Sequence, residues 1–251
     1  MSYRVEQTDP LTLLSELPSQ WAQTCVTSPR RDEPVSYLLA VLDEVRRVLR
    51  EDGTLWLALT RGGNSHELTR ALRDTPWLRP AAPISTPRQV VLLTKSERFL
   101  FNPRRGMGVT RSPQEPGCPR YPVPQRPGRG CASCPLPRRA WCVPSPGAAG
   151  VLPVEVIEWC VLTSTAPYSC GACGAPWTRT VKETRSGRHW RPTCQHHNDR
   201  GRCLVIDPFC TTGDTGTVAV RRGRDFLGVE IDPSSNEAVS RRLSYAQGHR
   251  R

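Results

Sequence analysis

Leu204-Val205-Ile206-Asp207-Pro208-Phe209-Cys210-Thr211-Thr212-Gly213-Asp214-Thr215-Gly216 decides how this 251-residue chain folds. The first four residues predict a short buried strand, the next group a tight turn, and Thr217-Val218-Ala219-Val220 a helix. Phe226-Leu227-Gly228-Val229 predicts a second strand, which ends in an acid, Glu230. Strand, glycine-bearing turn, helix, strand and terminal acid form the pattern of a nucleotide-binding βαβ unit. The turn lets backbone amides at the helix N-terminus face a ligand, and the acid can accept hydrogen bonds from a ribose diol. Other βαβ proteins with a glycine in this turn share part of the pattern.

Asp207-Pro208-Phe209-x-x-x-Gly213-x-Thr215-Gly216, followed by Gly223-Arg224-x-Phe226-x-Gly228-Val229-Glu230-Ile231-Asp232-Pro233, resembles the cofactor motif of DNA amino-methyltransferases. That family uses S-adenosylmethionine to methylate adenine N6 or cytosine N4. With this motif near the C-terminus, the resemblance is to the permuted subgroup whose catalytic motif comes first. It implies a Rossmann-like class I methyltransferase fold, α/β, with a mostly parallel sheet flanked by helices. It also implies that Asp207, Pro208, Phe209, Gly213, Thr215 and Glu230 shape the cofactor site.

The composition fits a DNA partner without proving one. Thirty-five lysines and arginines against 23 acids give a net charge of +12, which suits a polyanion. Pro and Gly are abundant (25 and 19) and aromatics make up only 6%, so much irregular chain surrounds a modest core. No apolar run approaches the ~18 residues of a membrane helix, and the N-terminus lacks a signal-peptide core. A cytoplasmic protein is expected, one whose eleven cysteines serve as metal ligands and core thiols rather than disulfides.

In the N-terminal half, Tyr3-Arg4-Val5 predicts a strand, and Asp9 precedes a short helix carrying Leu11, Leu13 and Leu14. The resemblance places an acid here near the cofactor adenine. Asp9 as a helix N-cap is an equal reading, and the two are compatible. Thr24-Cys25-Val26-Thr27 predicts a strand that runs into Ser28-Pro29. In the family, a strand ends in Ser/Asn/Asp-Pro-Pro-Tyr/Phe; the first side chain and a proline carbonyl accept hydrogen bonds from the target amine, and the aromatic stacks on the flipped base. Ser28 and Pro29 match this motif, whereas Arg30 and Arg31 stand where the second proline and the aromatic belong. Both arginines are candidate DNA contacts, because a guanidinium can stack on a base or bind phosphate.

Val35 to Glu51 predicts an amphipathic helix, ended by Gly53, and Thr54–Leu59 the following strand. Residues 61 to 87, with prolines at 76, 80, 83 and 87, replace a longer excursion in the family. Arg88–Leu93 and Phe99–Phe101 predict two further strands, and the resemblance implies that they form a hairpin at the sheet edge.

Residues 103 to 150 hold eleven prolines and little periodicity, as a basic linker would; the resemblance implies target recognition between the catalytic and cofactor motifs, which positions this region for DNA contact. Cys118, Cys131, Cys134 and Cys142 lie here and could form an irregular zinc site. A second cluster is more regular. Cys170-x-x-Cys173 followed by Cys194-x-His196 supplies four ligands of the kind tetrahedral zinc prefers, with His197 or Cys203 as alternatives to His196. Some family members carry a similar insert before the cofactor motif. Cys25, Cys160 and Cys210 read as core residues.

Leu152–Val161 resembles the family's helix at the methionine end of the cofactor, although Gly147-Ala148-Ala149-Gly150 replaces its usual polar lead. Thr211 stands where the family often has glycine, and a threonine Cβ would crowd the ligand unless φ stays negative. Asp214 would repel the cofactor carboxylate if it pointed inward. The expected organisation is a catalytic half at 1–103, a linker or recognition region at 104–150, and a cofactor half at 151–251 with a zinc ribbon at about 168–200. The resemblance implies a site-specific DNA methyltransferase that acts on double-stranded DNA, with a restriction endonuclease as a possible partner. Two other readings stay open: a degenerate member that binds DNA without methylating it, and a zinc-ribbon interaction module on a vestigial scaffold.

Overall fold

The computed structural model describes residues 3–59, 64–78, 84–85, 89–101, 141–142, 152–179, 190–196 and 198–248. Ten strands are present among them: β1 (Tyr3–Glu6), β2 (Ala22–Thr27), β3 (Leu49–Leu59), β4 (Ile84–Ser85), β5 (Gln89–Thr94), β6 (Trp141–Cys142), β7 (Thr178–Arg179), β8 (Trp190–Arg191), β9 (Leu204–Asp207) and β10 (Asp225–Val229). The helices are α1 (Pro10–Glu16), α2 (Val35–Val48), α3 (Ser65–Ala71), α4 (Val154–Ser164), α5 (Asp214–Arg221) and α6 (Pro233–Gly248). Eight strands form one sheet in the order β1-β10-β9-β2-β3-β5-β4-β6. The first five run parallel, and β5 is antiparallel to both its neighbours. Residues from both halves of the chain therefore build a single sheet, and β9 pairs with β2 through Thr24–Val205 and Cys25–Ile206.

A parallel sheet must be covered on both faces, so its strands read as continuous apolar runs. On one face α1, α2 and α3 bury Leu14, Leu38, Leu42, Leu68 and Leu72 against Leu55, Leu57 and Ile206. On the other, α4, α5 and α6 bury Val156, Ile157, Ala219 and Leu243 against Val26, Trp56 and Phe226. Trp56 is fully buried; its ring meets Trp159 edge-on at 5.1 Å, and its indole N–H donates to Ser164 Oγ at 2.7 Å. Gly216 lies where α5 crosses β10. A Cβ there would stand 2.5 Å from the Phe226 ring and 2.8 Å from Leu243 Cδ2.

Several expectations need correction. The helix over 35–51 ends at Val48: Leu49 pairs with Ala22 across the sheet and is fully buried, so the chain is already extended there. Gly53 accordingly lies inside β3, where a Cβ would be 2.9 Å from the Arg50 carbonyl. Phe99–Phe101 is not a strand; the Phe101 ring packs beside Trp56 and Trp159, and the Phe99 ring against Phe101. In the stretch after β3, α3 buries Leu68 and the turn after it buries Leu72. Within the stretch read as loop-like, Trp141–Cys142 forms an edge strand on β4. Cys118, Cys131 and Cys134 lie outside the described residues. No described helix is long and apolar enough to cross a membrane.

Gly216→Ala is expected to destabilise the fold by about 1–3 kcal/mol, the usual cost of overpacking, even though alanine favours a helix interior. Urea unfolding checks this; an unchanged midpoint would mean that the Phe226 contact yields freely.

Candidate active site and metal centre

The strand order reverses between β9 and β2. The chain leaves β9 through α5 toward β10, and leaves β2 through α2 toward β3. In open α/β sheets this switch point opens a crevice at the C-terminal ends of the strands, where ligands bind. Asp207 ends β9, Thr27 ends β2, and Glu230 follows β10, so the three meet along one edge.

Asp207 is buried and accepts hydrogen bonds from the Thr27 hydroxyl at 2.7 Å and the Phe209 N–H at 3.1 Å. Burial raises its carboxyl to about 6 against the lowering effect of these bonds, and the nearby Glu230 charge adds to the rise. Thr215 ties the first turn of α5 to β2 by donating its hydroxyl to the Val26 carbonyl at 3.3 Å. Gly213 sits at the helix entry with φ +70°, a left-handed conformation suited to glycine, and a Cβ there would meet Val239 at 2.8 Å. Among the described non-glycine residues only Gln20 has positive φ, so Thr211 occupies the turn without backbone strain. Asp214 takes Arg242 Nη2 at 2.6 Å and the Thr212 hydroxyl at 2.7 Å, so its charge is locally compensated.

Glu230 is almost fully buried and accepts the Asp232 N–H at 2.9 Å. Its Oε1 also lies 3.4 Å from Arg30 Nη2. The structure thus aims one of the two arginines at the acid of the β10 edge. Ser28 and Pro29 are half-buried at the exit of β2, next to Thr27. Asp9 caps α1 through the Thr12 N–H at 3.0 Å, as one of the two readings has it, and also accepts the Tyr37 hydroxyl at 2.6 Å. Burial works to raise the Asp9 carboxyl, but the bonds from Tyr37 and Thr12 outweigh it and hold the group below its ordinary value. Because Glu230 N donates to Glu6 O and β1 lies beside β10, Asp9 stands at the same end of the sheet as Glu230. Sequence reasoning missed Thr27, Tyr37 and the aim of Arg30. Only the position of Thr27 at a strand end, beside the Ser28-Pro29 motif, hinted at its role.

The structure brings the four expected metal ligands together. The ligand atoms of Cys170, Cys173, Cys194 and His196 all lie within 4.8 Å of one another, the spacing of a tetrahedral zinc shell with three sulfurs and one nitrogen. Burial works to raise the Cys170 thiol, yet the N–H groups of Cys173 and Ala172 and the neighbouring thiols outweigh it and bring it down to about 6. Cys203 stands apart, buried at the entry to β9, where its carbonyl accepts the Asp225 N–H. His197 lies outside the described residues. The knuckle docks at the N-terminal ends of the strands: Arg50, near the start of β3, donates to the Cys173 carbonyl at 2.9 Å, and Ser169 bridges to Gly201 just before β9. The metal centre and the Asp207–Glu230 crevice therefore occupy opposite edges of the sheet.

Comparison with known proteins agrees with this geometry. No family model matches the chain. It is 27% identical over 270 aligned positions to the Type II methyltransferase M.XycI of Xanthomonas campestris pv. cyanopsidis, covering 94% of this chain and 85% of the relative. Among solved structures, the PvuII DNA methyltransferase (cytosine-N4-specific) superposes with a TM-score of 0.58 at 15% identity, covering 97% of this chain and 86% of that one. A putative DNA modification methylase of Thermus thermophilus, TTHA0409, solved with S-adenosyl-L-methionine, superposes with a TM-score of 0.57 at 18% identity, covering 97% and 94%.

Acidification should report on Asp207. A carboxyl raised in the folded state to about 6 binds its proton more tightly than in the unfolded chain, so stability falls as pH rises from about 4 to about 6. Asp207→Asn should flatten that slope in pH-dependent urea melts; an unchanged slope would assign it to other groups. For the metal centre, Cys173→Ser should lower the zinc retained after dialysis by one ion per chain and lower the Tm. Unchanged zinc content would exclude this ligand set. The chain has the class I methyltransferase architecture, and along nearly its whole length its sequence is similar to that of a Type II methyltransferase.

Proposed function

We propose that the protein transfers a methyl group from S-adenosylmethionine to an exocyclic amine of DNA, adenine N6 or cytosine N4. The observation that carries this reading is the meeting of Asp207, Glu230 and the Ser28-Pro29 segment at one switch-point edge, although 180 residues separate Thr27 from Asp207. The residues present fit the cofactor. Glu230 offers a buried carboxylate to a ribose diol, and Gly213 opens the entry to α5 for backbone approach. Asp207, Pro208, Phe209 and Thr215 would line the adjoining wall, and Asp9 the adenine end. When bound, the cofactor supplies an electrophilic methyl on a sulfonium.

Ser28 and the Pro29 carbonyl would accept hydrogen bonds from the target amine and hold its lone pair toward that methyl, a matter of positioning and electrostatics. The base must leave the duplex to reach them. Zinc at Cys170, Cys173, Cys194 and His196 would serve as a staple, because the centre lies at the other edge of the sheet from the crevice. The net charge of +12 suits a duplex DNA substrate, and Arg31 beside the crevice is a candidate phosphate contact. We further place the protein in the cytoplasm, as the protecting partner of a restriction endonuclease of the same site specificity.

A second reading, DNA binding without methylation, is favoured by one observation: Arg30 and Arg31 replace the family's proline and aromatic, and Arg30 reaches Glu230. Ser28→Ala separates the two. Methyl incorporation into duplex DNA is expected to fall on the order of a hundredfold, comparable to losing one preorganised hydrogen bond in an active site, while DNA affinity is unchanged. Wild-type protein that binds the duplex but neither binds S-adenosylmethionine in a calorimeter nor labels DNA would establish the non-catalytic reading instead.

A further inference from the structure

Arg30 and Glu230 face each other across the crevice that the proposed function assigns to the cofactor. Arg30 follows β2 and Glu230 follows β10, and β9 lies between those strands. The ion pair therefore spans two strand spacings, about 10 Å, over the C-terminal end of β9. This is where the nucleotide-binding turn begins. The partners differ sharply in environment: the Glu230 side chain is 2% exposed and the Arg30 side chain 46%. A buried carboxylate needs a partner, whereas a half-exposed arginine on a loop can leave. Glu230 Oε1 also accepts the Asp232 N–H at 2.9 Å, a bond that does not involve Arg30.

We propose that Arg30 is a displaceable plug on the ribose-binding acid, and that its release couples cofactor binding to DNA binding. This rests on the methyltransferase reading above. In the free protein the guanidinium neutralises Glu230 and crosses the cofactor's place. When ribose hydroxyls take over Glu230, Arg30 must swing out of the crevice. It then becomes one more free cation beside Ser28-Pro29, on the side from which the target strand arrives. Each ligand thus favours the state in which Arg30 is free for DNA, and the coupling is reciprocal: cofactor strengthens DNA binding, and DNA strengthens cofactor binding by the same factor.

The test uses S-adenosylhomocysteine, which lacks the transferable methyl, and a short mixed-sequence duplex. Calorimetry measures binding of the nucleoside, and fluorescence anisotropy across a salt series measures DNA binding. For the wild type, saturating S-adenosylhomocysteine is expected to steepen the dependence of log affinity on log salt by about one unit, the signature of one added phosphate contact. Arg30→Gln should bind S-adenosylhomocysteine several-fold more tightly than wild type and show no steepening; Arg30→Lys should restore it. Equal nucleoside affinities in wild type and Arg30→Gln, or equal salt slopes with and without nucleoside in the wild type, would overturn the plug while leaving the cofactor reading intact. If neither protein binds S-adenosylhomocysteine, the cofactor reading fails and the plug fails with it.

Discussion

The hydrogen bond from Thr27 to Asp207 joins the two ends of the sequence at the floor of the crevice. It is 2.7 Å long, buried, and links residues 180 positions apart. An acid buried at the end of a central strand is costly unless donors surround it. Thr27 from β2 and the Phe209 N–H from the turn supply them. The same carboxylate therefore fixes the β9 turn and the end of the strand that leads into Ser28-Pro29. Thr215 reinforces the junction by bonding the neighbouring Val26 carbonyl. The β9 turn and the Ser28-Pro29 segment are thereby placed by one local network, so their geometry does not depend on the long connection between the halves of the chain.

What could be read from the sequence was what is encoded locally. β9 and β10 are short apolar runs bounded by turn residues, and α5 between them carries glycines in its turn, so all three were legible. The Cys/His cluster was legible for a similar reason: a Cys-x-x-Cys pair is close by its own spacing, and the structure brings Cys194 and His196 to within 4.8 Å of it. Failures occurred where a distant partner decides. The helical pattern continues past Val48, but Leu49 is drawn into the sheet by Ala22. Phe99–Phe101 has the composition of a strand, yet the Phe101 ring is used against Trp56 and Trp159. Nothing near Asp9 announces Tyr37, 28 residues away, and nothing near Arg30 announces Glu230.

Stability and chemistry are separated along the strands. Arg50 ties the Cys170–His196 knuckle to the start of β3 through the Cys173 carbonyl, and Ser169 ties it to the approach to β9. All of this lies at the N-terminal edge, whereas the crevice lies at the C-terminal edge. A metal held there would brace the strands that position Asp207 and Thr27 from the edge opposite the crevice. The knuckle has few apolar residues of its own, so Arg50 and a bound metal would together substitute for a local core.

This separation bears on the departures from the family pattern, which are of two kinds. Thr211 and Asp214 in the cofactor turn are absorbed locally. The turn accepts a β-carbon because no positive φ is demanded at Thr211, and Arg242 neutralises Asp214 from the neighbouring helix. These changes leave the crevice open. Arg30 is different, because it stands where the resembling motif has its second proline and reaches the buried Glu230. A change absorbed by its own surroundings is compatible with drift in a scaffold. A change that forms a specific ion pair across the crevice alters what the site must exchange when it binds its ligands, and so belongs to the function rather than to the background of the fold.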